Sequence, residues 1–216
     1  MSNIIAILLA LIICFTQKYA YTKMKHFKQQ QYAKTLTPLY FRKFNTAFFI
    51  TSNILVTISL LLFAYLNNSI TSVILFGVML YILNLISLVD LHALIIPSEL
   101  ICVLVPLAML FNFVHYNDLL VSTVLVIIAI LVCFIINRIL RKKYDSAIGM
   151  GDIRFYVPCL YLVGSVNMVT FMLVLGLVSL AWIGSIWIYR KSLPKDVAYG
   201  PILALASVLT VVIGVI

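Results

Sequence analysis

The stretch from 119 to 137, LLVSTVLVIIAILVCFIIN, runs nineteen residues without a charge. That is close to the ~20 residues an α-helix needs to cross a ~30 Å hydrocarbon core, where lipid requires backbone hydrogen bonds to close within the segment. The run is one of several. Eight apolar segments can be drawn, at 4–16, 47–66, 70–89, 99–114, 119–137, 153–163, 168–189 and 201–216. They are too continuous for the alternation of a membrane barrel. The expected fold is therefore all-α, a polytopic membrane helical bundle of about eight transmembrane segments forming a single domain over 1–216. Segments 4–16, 153–163 and 201–216 are among those shorter than a perpendicular span requires, and six to eight crossings are expected. Snorkelling of Lys18 or helix extension into the loops would supply the deficit.

Charge gives the expected topology. Fifteen Lys and Arg against six Asp and Glu make a net charge of +9, which on a soluble chain would raise the question of nucleic acid. Here the basic residues fall in short connecting stretches, so the partner they imply is the bilayer and not nucleic acid. With the N-terminus outside, the inside loops are 17–46, 90–98, 138–152 and 190–200, and the outside loops at 67–69, 115–118 and 164–167 contain no Lys or Arg. The positive-inside rule then places both termini outside. Met1, Ser2 and Asn3 precede the first apolar run and the positive charges follow it, the pattern of a retained anchor rather than a cleaved signal peptide. Residues 17–46 read as a basic cytosolic loop lying on anionic lipid. Cys14, Cys102, Cys133 and Cys159 lie singly in apolar segments without CxxC spacing and read as small core hydrophobes, so no metal site or disulfide is expected.

The acids are few, and none precedes residue 90. Asp118, Asp145 and Asp196 read as solvated loop charge. Asp90 closes the third segment in LNLISLVDLHALIIPSEL, and Asp152 opens the sixth in AIGMGDIRFY. By the expected topology both lie at the cytosolic face, where an acid at membrane depth marks a site unless it is paired. If the two meet they form a carboxylate dyad, one protonated and one ionised, able to activate a water against a peptide carbonyl without a metal. Gly149 and Gly151 would let backbone and an extended substrate strand approach the acid. Structural readings stand beside this one: Asp152 at a helix N-terminus is ordinary capping, and Arg154 could simply pair with it.

Together these residues resemble the type IV prepilin peptidases, membrane aspartyl proteases with a GxGD motif. VDLHALIIPSEL is similar to the first catalytic motif, matching Asp90 and Pro97, with Glu99 following. GMGDIR is similar to the second, matching Gly149, Gly151, Asp152 and Arg154. AYGPILAL resembles the C-terminal segment, placing Gly200 and Pro201. The resemblance covers most of 70–216. It implies catalysis by Asp90 and Asp152, with Gly149, Gly151, Pro97, Arg154, Glu99, Gly200 and Pro201 shaping the site or binding substrate. The activity implied is removal of the short basic leader of pilin, pseudopilin or competence-pilin precursors, on the cytosolic side of a bacterial cell membrane.

This chain departs from the family at several places. His92 stands where many members carry an acid, and Ser98 follows the Pro. The Gly-Ser-Phe and Arg-Leu-Pro elements are not visible in 1–46, and neither are the zinc-binding CxxC pairs. The short form looks like competence-type members. Proteolysis needs no cofactor, and S-adenosylmethionine enters only if the N-methyltransferase activity of many members is retained. His92 reads as an interfacial polar residue, and a homo-oligomer is left open. Intramembrane proteases of the presenilin type share GxGD, but here Val89 precedes the first Asp and GPILAL is not their Pro-Ala-Leu motif. Two non-enzymatic readings remain beside the protease: a small transporter or assembly factor using the acids for ions, and a binder of prepilins that does not cut them.

Overall fold

The computed structural model describes residues 2–33, 46–67, 69–143, 149–191 and 197–215. They form eight helices: α1 Ser2–Ala33, α2 Thr46–Leu66, α3 Ile70–Ala93, α4 Ser98–His115, α5 Leu119–Lys143, α6 Met150–Val163, α7 Met168–Arg190 and α8 Gly200–Val215. Six of these, all but α6 and α8, are long and apolar enough to cross a membrane. The chain is an all-α, multi-pass membrane bundle. At 1.5 Å per residue α6 and α8 extend only ~21 and ~24 Å, short of a ~30 Å core.

Helix α3 is the centre. Its apolar window is 78% buried against 6% for α7 and 11% for α5, so α3 is enclosed by protein while α5 and α7 turn most of their surface outward. α1, α2, α4 and α8 pack on α3, and α4 and α8 also pack on α6. Without a hydrophobic drive between helices in lipid, such contacts depend on close packing. α1 meets this with one stripe: Ala6, Ala10, Ile13, Gln17, Tyr21 and Lys28 are all buried, at the three, four or seven residue spacing of one helix face.

The start of the basic segment reads as loop in the sequence, yet it is helical to Ala33. The reason is local. Lys, Gln, Met and Ala are good helix formers, and neither Gly nor Pro occurs before Pro38. Residues 34–45 lie outside the described residues.

Three turns gather at one end of the bundle. Asp118 accepts from the Ser165 N–H at 2.8 Å, from Ser122 Oγ at 3.1 Å and from the Ser165 hydroxyl, and Asn67 Nδ2 lies 3.1 Å from His115 Nδ1. Asp118 is thus a clasp between the α4–α5 and α6–α7 turns, not the solvated charge its loop setting suggests. The opposite end carries the start of α2, α4, α6 and α8 and the end of α3, and with them Asp90, Glu99 and Asp152. Asp145 and Asp196 lie outside the described residues.

Candidate active site

Asp90 stands in the last turn of α3, 4% exposed. The carbonyl end of a helix carries roughly half a negative charge, a poor place for a carboxylate. The chain answers with a second helix end. α8 begins beside it, and the Gly200 N–H donates to Asp90 Oδ2 at 2.8 Å, so the positive end of α8 faces the acid. Pro201, also buried, has no N–H to leave unpaired in that first turn. A Cβ on Gly200 would fall 2.9 Å from Asp90 Oδ2 and 3.1 Å from Asp90 Cβ; only glycine allows this approach.

Past Asp90, α3 ends with Leu94 in the left-handed conformation at φ 55°, its N–H bonded to the Asp90 carbonyl at 2.7 Å. The chain turns through Ile95 and Ile96, and buried Pro97 is the N-cap of α4. Ile96 links the two acid-bearing segments. A Cβ on Gly151, in the first turn of α6, would meet Ile96 Cβ at 3.4 Å, so α6 starts close against the turn that follows Asp90.

Asp152 is the third residue of α6, counted from the N-cap Gly149. Its carboxylate folds back over that cap: a Cβ on Gly149 would lie 2.8 Å from Asp152 Oδ2. This is the reach of an N3 acid toward the N-cap backbone, at a helix end that favours negative charge. The structure brings Asp90 and Asp152 to the same end of the bundle, on helices α3 and α6 that do not pack on each other among the described residues. No direct hydrogen bond joins them. Each therefore sits at the N-terminus of a short helix, Asp90 against α8 and Asp152 on α6, with the 94–97 turn beside them.

The other expected residues distribute differently. Glu99, expected near substrate, is held by Lys28 of α1, whose Nζ lies 3.0 Å from Oε1 and 2.8 Å from Oε2 and also donates to Gln31 Oε1 at 3.0 Å. Arg154 is exposed and makes no ion pair with Asp152; among the described residues Lys28 with Glu99 is the one ion pair. His92 is buried, with Nδ1 2.6 Å from the Leu88 carbonyl and its ring 5.3 Å from that of Tyr21. Of the cysteines Cys159 alone is buried. Cys14 and Cys102 are exposed and Cys133 half-buried, because the outside of this bundle is as apolar as its core. Among the described residues no group of His, Cys, Asp and Glu could hold a metal ion.

No family model, curated protein or solved structure matches this chain.

Lys28 escaped the sequence reading, though a signal existed. It continues the stripe of Tyr21 and Gln17 seven residues on, and a lysine on the inward face of a helix needs an acid opposite.

Proposed function

We propose that this chain is a membrane aspartyl endopeptidase that removes the short basic leader of prepilin-like precursors. The observation that carries the reading is Asp90, buried at the end of α3 against the Gly200 N–H of α8, with Asp152 opening α6 at the same end of the bundle. In this reading the two carboxyls come together on the substrate, and since close carboxyls do not both ionise easily, the pair holds one proton between them. The ionised member takes a proton from a water, and the hydroxide attacks the peptide carbonyl. The protonated member donates to the carbonyl oxygen as it becomes tetrahedral. Collapse breaks the C–N bond, and the proton taken from water passes to the leaving amine. No metal or covalent intermediate is required, and Gly149 leaves the room that the Asp152 carboxylate occupies over the α6 cap.

In this reading all eight helices serve as crossings, both termini lie outside, and the acids face the cytosol of a bacterial cell, where the basic leader lies. The likeness of VDLHALIIPSEL, GMGDIR and AYGPILAL to the prepilin peptidase motifs supports the substrate class. The acids stand at one end of the bundle rather than facing each other at its middle, which favours the protease over an ion relay. The test uses purified protein in detergent with a metal chelator, a synthetic precursor and heavy-oxygen water. One cut between leader and apolar helix, with one heavy oxygen in the leader's new carboxylate, is expected. Binding of the precursor without any cut would overturn proteolysis in favour of a non-enzymatic binder.

A further inference from the structure

We infer that a groove between α2 and α7 receives the apolar helix of the precursor with its N-terminus toward Asp90, and that side-chain oxygens there accept its unpaired first-turn N–H groups. The inference rests on the proteolytic reading and adds where, and by what chemistry, the uncharged half of the substrate is held.

α2 and α7 both pack on α8 but not on each other among the described residues. Between them lies a cavity of about 120 Å³, floored by α3 and α8 and walled by Leu55 of α2 and Trp182 of α7. It lies next to the candidate site. Ser87 in its floor is three residues before Asp90, and Pro201 adjoins Gly200. The volume takes large apolar side chains but not a whole helix, so an occupant lies across the opening with one face inserted.

The polar lining is concentrated at one end. Since α2 and α8 begin and α3 ends at the Asp90 end, Thr51, Ser52, Asn84 and Ser87 stand toward the acid. Leu80, Val56 and Val208 lie deeper, with Ser59 the one polar lining residue among them. Ser87 Oγ donates to the Leu83 carbonyl at 2.8 Å, Thr51 Oγ1 to that of Phe48 at 3.0 Å and Ser52 Oγ to that of Phe49 at 3.0 Å. A hydroxyl has one proton; with it committed to its own helix, each offers lone pairs only. Asn84, 5% exposed, has an amide nitrogen without a partner, so neighbouring groups do not fix which end of that amide faces the groove.

An acceptor-rich mouth above an apolar trough calls for an occupant with donors at one end only. A transmembrane helix has that form: its first four N–H groups lack intrahelical partners, and each left unpaired in lipid is costly. The distance agrees, since Asn84 is six residues from Asp90, ~9 Å along α3, about the depth of those first turns. A lipid acyl chain carries no donor and would leave the polar groups of the mouth unused.

The test is capture by a photo-crosslinking residue, benzoylphenylalanine, at Leu205 in the groove. Leu177, 69% exposed on α7, is the control. Both are placed in an Asp90→Asn background and mixed in membranes with a precursor of basic leader plus apolar helix. Leu205 is expected to capture the first two turns after the cleavage site and Leu177 only lipid. Leu55 on the opposite wall serves if the Leu205 variant does not accumulate. Asn84→Leu is expected to raise KM roughly tenfold with little change in kcat, the loss of one buried hydrogen bond. Capture of lipid alone at Leu205 and Leu55, with wild type still cutting, overturns the groove and leaves proteolysis standing. Capture of the precursor without cutting by wild type supports the groove and removes the protease. Neither capture nor cutting overturns both.

Discussion

Replacing Gly200 by alanine puts a methyl group 2.9 Å from Asp90 Oδ2, 3.1 Å from its Cβ and 3.2 Å from its Cγ. Rotating the Asp90 side chain moves the carboxylate but not its Cβ, so the start of α8 must withdraw by a few tenths of an ångström. The hydrogen bond lost in that withdrawal is the 2.8 Å contact from the Gly200 N–H. A bond to a charged group contributes about 1.5–3 kcal/mol. If it orients the reacting carboxyl, kcat/KM falls roughly 10- to 100-fold, at about 1.4 kcal/mol per factor of ten. The matched control is Gly176→Ala on α7, where an added Cβ meets nothing within 4 Å. That variant keeps its rate and gains up to about 1 kcal/mol of helix stability. Initial rates of precursor processing at equal amounts of folded protein compare the two. The reasoning fails if Gly200→Ala cuts within about twofold of wild type, or if Gly176→Ala is equally impaired.

Three further outcomes follow from the same geometry. Glu99→Gln strands a lysine that is 4% exposed, whereas Lys28→Met leaves an acid whose side chain is 39% exposed, though its Oε2 is buried; Glu99→Gln therefore costs about 3 kcal/mol and Lys28→Met less. Chemical unfolding in detergent measures both, and equal losses would contradict the buried-cation account. Asp118→Ala removes the acceptor of Ser165 and Ser122 and is expected to lower stability by about 2 kcal/mol with the cleavage rate per folded molecule unchanged. A rate loss there would mean the far-end clasp is coupled to the acids. Leu94→Gly relieves a left-handed leucine that is 37% exposed and should stabilise the α3–α4 turn by about 1 kcal/mol, read as a higher melting temperature; a lower one would show that the Leu94 side chain contributes more by packing than its conformation costs.

The helices from α2 onward were legible because lipid forces long apolar runs, and hydropathy reports those directly. The second half of α1 was not, because charge patterning says where a segment stands relative to the membrane and nothing about whether its backbone is helical. Asp90 and Asp152 were legible as acids bordering apolar segments. What holds them was not. Gly200 and Asp90 are 110 residues apart, and only the packing of α3 on α8 makes that glycine necessary. Gly149 and Gly151 read as room for a substrate strand, while in the fold Gly149 makes room for the Asp152 carboxylate and Gly151 for Ile96. Glu99 read as a residue shaping the site or binding substrate; the inward face of α1 carries a lysine to it instead. Asp118 read as solvated because turn residues usually are, and its partner Ser165 comes from a turn 47 residues away.

The central claim is that Asp90 and Asp152 act as one unit. The most direct measurement is processing of a co-expressed precursor in membranes by wild type, Asp90→Asn and Asp152→Asn, with accumulation of each variant in the membrane measured in parallel. The account predicts that either substitution alone abolishes processing while the protein still accumulates. Processing that persists in either accumulated variant would contradict it.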